Sequence, residues 1–351
     1  MGVLRLLLAV AVFCFHTDFL KEFGISILDG RTAVFCFFVV SGFYMEMVLV
    51  EKYNFNRLGP DFVRKFWLAR FWRLYPTYFV VIIATLILAF AMSNVHVPKV
   101  LDINLSTNWF EISKSIVIWF FNISMFFLNL PSTSDLLIGP GWSLGIEISF
   151  YAIAPFCLKL KTPTLMALAA VSIALQFIPY GQHAPVLFGF HVFLLGALAR
   201  RYSTQIMLAV SRIVDPTLLV LYGIVFLLIF FAAPGDIYVG VKNEFSHNTL
   251  NRFIYPVIIA LLIPFLHERT KNNKSDFWIG QLSYPFYLLH TLVIATFANW
   301  PSIFKTSSLL FGVCLSFSVF LMLLEVRFIE PVRARFSKSG FKADVQRTVV
   351  Q

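Results

Sequence analysis

Apolar residues run along this chain in blocks separated by short polar stretches. The blocks fall at residues 3–20, 32–50, 75–92, 142–158, 163–179, 184–199, 216–234, 252–267, 280–299 and 307–325. A helix needs about 20 apolar residues to cross the hydrocarbon core of a bilayer. Each block is therefore predicted to be a membrane-spanning helix. One further apolar segment, 116–130, is shorter and carries Asn122, Ser124 and Asn129. The stretch 62–75 alternates basic and aromatic residues. It reads as an interfacial helix that leads into a new helix starting at Pro76.

Composition agrees with this pattern. The 351 residues are 59% apolar and 13% charged, against about 45–50% and about 25% in soluble domains. That excludes a disordered chain, a collagen and an ordinary soluble enzyme. The 41 phenylalanines suit contact with lipid. The net charge of +10 raises the question of nucleic acid. The basic residues flank apolar blocks and form no soluble patch, so no nucleic-acid partner is expected. Cys14, Cys36, Cys157 and Cys314 all lie inside apolar stretches without metal-ligand spacing, and read as buried small hydrophobes. The first block lacks a small-x-small cleavage site after it and is read as a retained helix.

Charge orients the chain. Arg5, the segments 52–73, 159–161, 200–212 and 269–274, and the tail beyond Glu325 hold 21 of the 28 Lys and Arg residues. The positive-inside rule places these on the cytoplasmic side. Parity then forbids segment 116–130 from crossing, because the spans at 75–92 and 142–158 meet on the outer side. The segment is read as re-entrant or surface-lying, covered by protein. The predicted fold is an all-α polytopic bundle of about ten transmembrane helices with both termini cytoplasmic. Residues 1–335 form one membrane domain and 336–351 a cytoplasmic tail. The partner this demands is a lipid bilayer.

Ionisable groups inside such spans are costly, so each is a site hypothesis by default. They are Arg5, His16, Glu46, Glu147, His191, His290 and Glu325. Arg5 and His16 lie eleven residues apart on one helix, close to three turns and roughly 16 Å. Taken alone they also fit a snorkelling arginine and a helix-end histidine. Glu147 and Tyr151 share a helix face, Trp142 fits an interfacial belt, and His16 is a candidate partner for Glu147. The structural alternative for Glu147 is a carboxylate bonded to Tyr or Ser. Arg70 and Arg73 converge at the inner boundary, where they anchor the membrane edge or clamp a phosphorylated ligand. Ser41 and Gly42 allow either close helix packing or room for a ligand. His290 falls near mid-membrane in a helix that Pro285 kinks. Glu46, Glu325 and His191 read as structural groups, and Asn122 and Asn129 as capping or loop-stabilising.

Together these features resemble the acyltransferase type 3 family of integral-membrane acyltransferases. Arg5 and His16 match its Arg-x10-His. Phe37–Phe43 matches its Phe-Phe-Val-x-Ser-Gly-aromatic stretch, and Arg70-Phe-Trp-Arg73-Leu-Tyr-Pro76 its Arg-x-x-Arg motif. Trp142-Ser143-Leu-Gly-Ile-Glu147 through Tyr151, and Ser283-Tyr284 through His290, match two more. Leu6, Phe35 and Ile148 stand where many relatives carry Gly, Asp and a second Glu. Some members add an esterase-like domain. A chain without one is expected to hand over its acyl group within the membrane domain or to a separate protein.

The resemblance implies an acyl-CoA donor, usually acetyl-CoA, reached from the cytoplasm of a bacterial inner membrane. Arg5, Arg70, Arg73 and Ser41 are then donor-binding. His16 is the general base or a transient acyl carrier, with Glu147 orienting it. Trp142, Ser143, Tyr151, Ser283, Tyr284 and His290 bind the acceptor, a surface glycan such as lipopolysaccharide O-antigen, free or lipid-linked. No metal is implied. Two rivals stay open: a proton-coupled transporter, and an acyltransferase acting on a lipid or small metabolite.

Overall fold

The computed structural model describes residues 1–17, 19, 30–91, 109–131, 133–175, 189–213, 215, 244–298 and 306–337. Within these residues every regular element is helical. In chain order they are α1 (Gly2–Thr17), α2 (Gly30–Glu51), α3 (Phe62–Ala91), α4 (Trp109–Ser124), α5 (Gly141–Cys157) and α6 (Thr162–Leu175). Then follow α7 (Phe190–Arg201), α8 (Ser203–Ser211), α9 (Glu244–Thr270), α10 (Lys274–Phe297), α11 (Ser307–Leu324) and α12 (Glu330–Ser337). The span predicted at 216–234 lies outside the described residues, as do 338–351 of the predicted tail.

Among the described residues four segments are long and apolar enough to cross a membrane: Gly30–Glu51, Phe55–Ala91, Phe253–Thr270 and Ser307–Arg335. The ten predicted crossings are therefore not all matched by full-length apolar helices. The 16 residues of α1 rise about 24 Å, short of a core of about 30 Å. The surface is nonetheless that of a membrane protein. Ile87, Phe90, Phe317 and Phe320 all point outward, an arrangement that suits lipid and not water. All four cysteines are free and buried, as predicted.

Pro76 does not start a helix. The basic interfacial stretch and the following span join into one helix of 30 residues with Pro76 inside it. A helix tolerates an interior proline when neighbours re-satisfy the backbone, as packed membrane helices allow.

Contacts between termini define one basic end of the bundle. There Arg200 pairs with Glu51 at 2.7 Å, and Arg201 with Glu46 at 2.6 Å. Lys159 stands 3.9 Å over the Phe62 ring. Trp67 donates to the Tyr151 carbonyl at 3.2 Å. So α3 leaves this end and α5 returns to it. Tyr75 and Tyr78, half-way along α3, donate to the carbonyls of Ser124 and Asn122. The chain turns there through Met125 and Phe127, both at positive φ (60° and 58°). Met125 and Leu128 are fully buried. The Asn122 amide holds the return strand, donating to the Asp135 carbonyl at 3.2 Å and accepting from the Leu137 N–H at 2.8 Å. Asn122, Met125 and Leu128 are buried, whereas Ile116, Phe120 and Ile123 face outward, and the helix begins earlier than expected, at Trp109.

Packing inside the bundle depends on small residues. A Cβ on Gly42 would sit 1.9 Å from the Phe193 carbonyl oxygen, and one on Gly196 would sit 2.0 Å from that of Val39. The backbones of α2 and α7 touch at both points. Gly196→Val is expected to lower stability by about 1–3 kcal/mol, the usual cost of overpacking. Gly312→Val, where nothing lies within 4 Å, is expected to leave it unchanged. Thermal unfolding of the two variants in detergent checks this.

Candidate active site

The site begins with a register. The Asp276 carboxylate in the first turn of α10 accepts from the backbone N–H groups of Gly2 (2.7 Å) and Val3 (3.0 Å) and from the Met1 amino group. It thereby caps the start of α1, where helical N–H groups lack partners and a negative charge is favoured. The two helices leave this contact side by side and in the same direction. His16 lies fourteen residues beyond Gly2, and His290 fourteen beyond Asp276. At 1.5 Å per residue both reach the same height, about 21 Å from the cap. Their rings accordingly meet, with centroids 5.3 Å apart.

A shaft of about 660 Å³ opens at the basic end between α2, α3, α5 and α10. Lys52, Lys271, Arg5, Arg70 and Arg73 line its lower part. It reaches Ser143 and Tyr287 at its far end. Arg73 donates to the Gln281 side chain at 2.6 Å. Arg70 stacks its guanidinium 5.6 Å from the Phe66 ring centre, and its Nε is buried with no acceptor. Glu147 sits among them. Its Oε1 accepts from Ser41 Oγ at 2.9 Å and from the Tyr151 hydroxyl.

The histidines lie just past the shaft's end. Ser143 Oγ and the Tyr287 hydroxyl are 2.8 Å apart. One turn on, His290 is fully buried, with Nδ1 2.7 Å from the Tyr287 carbonyl. That carbonyl only accepts, so Nδ1 carries the proton and Nε2 presents a lone pair. His290 Nε2 is buried without a partner. His16 beside it is exposed.

A sequence profile of a family described as an acyltransferase domain matches residues 1–324. The chain belongs to this acyltransferase family. It is similar to the peptidoglycan O-acetyltransferase OatA of Listeria monocytogenes, 26% identical over 96% of this chain and 55% of the relative. It is also similar to the putative peptidoglycan O-acetyltransferase YrhL of Bacillus subtilis, 30% identical over 44% of this chain and 23% of the relative. The chain thus spans about half the length, or less, of these relatives. No solved structure matches it. Membership of an acyltransferase family favours the enzyme reading over the carrier.

The family's motif residues divide between two places. Arg5, Ser41, Arg70 and Arg73 come together on the shaft, and so do Ser143, Glu147, Tyr151, Ser283 and Tyr284. His16 and His290 form the second group beyond its end, and the half-buried Trp142 packs against the apolar core. The expected pairing of Glu147 with His16 is not what the structure holds. α5 runs against the direction of α10, so with Ser143 level with Tyr287, Glu147 falls one turn nearer the basic end. His290 and His16 fall one turn the other way. Ser283 donates back to the Gly280 carbonyl at 2.8 Å, and the Tyr284 hydroxyl to that of Leu74 at 2.8 Å. Each hydroxyl thereby gives its one proton to the backbone and keeps its acceptor lone pairs.

Sequence reasoning missed Tyr287 and Gln281. Tyr287 stood inside a matched motif and was the available signal. Gln281 becomes visible only when α10 is laid against α3. Among the residues read as structural, Glu46 meets Arg201, Glu325 meets Thr77 on α3, and His191 meets Ser172 at 3.2 Å.

Proposed function

We propose that the protein is an integral-membrane O-acetyltransferase, drawing acetyl groups from acetyl-CoA in the shaft and passing them to a surface-glycan hydroxyl at the His16 end. The observation that carries this reading is the contrast between the two ends. An arginine-lined shaft ends at Ser143 and Tyr287, one turn short of paired imidazoles. An anionic nucleotide thioester suits the first, and a neutral sugar hydroxyl the second. The unpaired buried Arg70 Nε supports an anionic ligand, because buried donors are rarely left unmet.

In this reading Arg5, Arg70 and Arg73 hold the donor's phosphates. His16 takes the proton of the acceptor hydroxyl as that oxygen attacks the thioester carbonyl. The new C–O bond forms, the C–S bond breaks, and the thiolate departs with the donor's carrier. Ser143, whose hydroxyl donates to the Pro140 carbonyl at 3.0 Å, turns that proton to the thioester carbonyl oxygen as its charge grows. The free lone pair of His290 Nε2 orients the hydroxyl beside His16. Glu147 accepts from Ser41 and Tyr151 and so holds those two hydroxyls on the shaft wall.

The names of the two relatives favour peptidoglycan among surface glycans. A lipopolysaccharide O-antigen belongs to the same chemical class. The basic end faces the cytoplasm of a bacterial inner membrane by the positive-inside rule. Mass spectrometry of muropeptides and of extracted polysaccharide, from cells with and without the protein, tests the reading. One acetyl increment present only with the protein is the expected result. Equal masses in both fractions would overturn the glycan acceptor and turn attention to lipids and small metabolites.

Arg73→Ala is expected to raise the donor KM about 10- to 100-fold with kcat little changed, since a charge-assisted hydrogen bond is worth about 1.5–3 kcal/mol. Steady-state kinetics with acetyl-CoA checks it, and an unchanged KM removes Arg73 from the donor site.

A further inference from the structure

We infer that Arg333 belongs to the donor site: α12 forms one wall of the shaft mouth and sets a third guanidinium beside Arg70 and Arg73 to bind the donor's phosphates. This rests on the acyl-CoA reading above and extends it past residue 324, where the family match ends.

The placement follows from a break in helix geometry. α11 passes into a π-helical turn at Glu325–Ile329 before α12 begins. A π turn takes an extra residue, so the helix after it is redirected relative to the helix before it. The turn is pinned by Glu325, which is buried and accepts from the Thr77 hydroxyl on α3. α12 then packs along α3. Arg333 and Glu330 reach the shaft wall and line the same cavity as Arg70 and Arg73.

Three guanidiniums gathered in one wall repel one another unless something negative lies between them. Two of the carboxylates on this cavity are engaged elsewhere, Glu147 by Ser41 and Tyr151 and Asp276 by the start of α1. Glu330 pairs with Arg333 one turn away on the same helix, and Arg73 is bonded to a neutral amide, Gln281. Arg70 Nε has no acceptor at all. A guanidinium carries five N–H donors in a planar fork, so one carboxylate leaves most of the cluster's donors open. Several open forks converging on one cavity match a group with several anionic oxygens, such as a nucleotide diphosphate. Arg333 is part-exposed, with 24% of its side chain accessible, so its removal does not empty a core.

Isothermal calorimetry on the full-length protein in detergent tests this with coenzyme A, dephospho-coenzyme A and pantetheine as ligands. Arg333→Ala is expected to weaken coenzyme A binding about tenfold, with pantetheine binding and Tm unchanged. Arg333→Lys is expected to fall between, keeping the charge and losing the fork. Wild-type affinity in Arg333→Ala, with weakened binding in Arg73→Ala, overturns the role of Arg333 and leaves the donor reading standing. No binding of coenzyme A to the wild-type protein overturns both.

Discussion

His16→Ala is expected to lose acetyl transfer by about 10²–10⁴-fold, the usual contribution of a general base, and to keep its fold. The two halves of this expectation have separate causes. The His16 ring is exposed and touches the rings of Phe15 and His290. It makes no hydrogen bond among the described residues, so truncation leaves no buried group unsatisfied. His290→Ala is the contrast. His290 is fully buried and its Nδ1 is bonded to the Tyr287 carbonyl, so its loss opens a cavity and orphans an acceptor. Transfer measured beside Tm separates the two: His16→Ala silent and stable, His290→Ala silent and less stable. Normal transfer by His16→Ala would remove it from the chemistry. Single-turnover mass spectrometry with labelled acetyl-CoA then asks whether His16 carries the acetyl group. An acetylated His16 peptide on the reaction timescale supports a two-step path, and an unmodified one supports direct attack.

Arg201→Ala is expected to destabilise the protein by about 3–5 kcal/mol, the cost of stranding one member of a buried ion pair. Arg201 Nε donates to Glu46 at 2.6 Å, and the carboxylate side chain is 6% exposed. The same guanidinium donates to the carbonyls of Leu158 and Leu160, the latter at 2.9 Å. One side chain on α7 therefore ties together α2 and the end of α5, where carbonyls lack helical partners. Removing it leaves a bare, buried carboxylate, while the Leu160 carbonyl at the exposed rim turns to water. Glu46→Leu combined with Arg201→Met is expected to recover part of the loss, because a well-packed apolar pair avoids the desolvation penalty. Thermal unfolding in detergent reads both. An Arg201→Ala protein as stable as wild type would show that the pair is not energetically buried.

Most helices were legible because a bilayer imposes long apolar runs. The predicted block at 32–50 is α2, and those at 142–158 and 307–325 match α5 and α11 within a residue or two. Pro76 misled, since a proline is also tolerated inside a helix where packed neighbours re-satisfy the freed backbone groups. The start of α4 at Trp109 was missed because its apolar face is interrupted by Glu111, Ser113 and Lys114. Charge parity led to the expectation that 116–130 does not cross, and the antiparallel contacts of α3 and α5 are compatible with that expectation.

The sequence by itself determined that this is a helical membrane protein of the acyltransferase family, which residues carry charge within its apolar blocks, and which end of the bundle is basic. Those are properties of composition and order, and need no knowledge of which helices touch. Partnership was decided only in three dimensions. Asp276 fixes the register of α1 against α10 and so brings together two histidines 274 positions apart. The opposed direction of α5 gives Glu147 to Ser41 and Tyr151 and not to His16. A π turn brings Arg333 to the cavity lined by the arginines of α3. Each depends on relative height and rotation between helices distant in the chain. A run of apolar residues leaves both free, because every face of such a helix is equally acceptable to lipid.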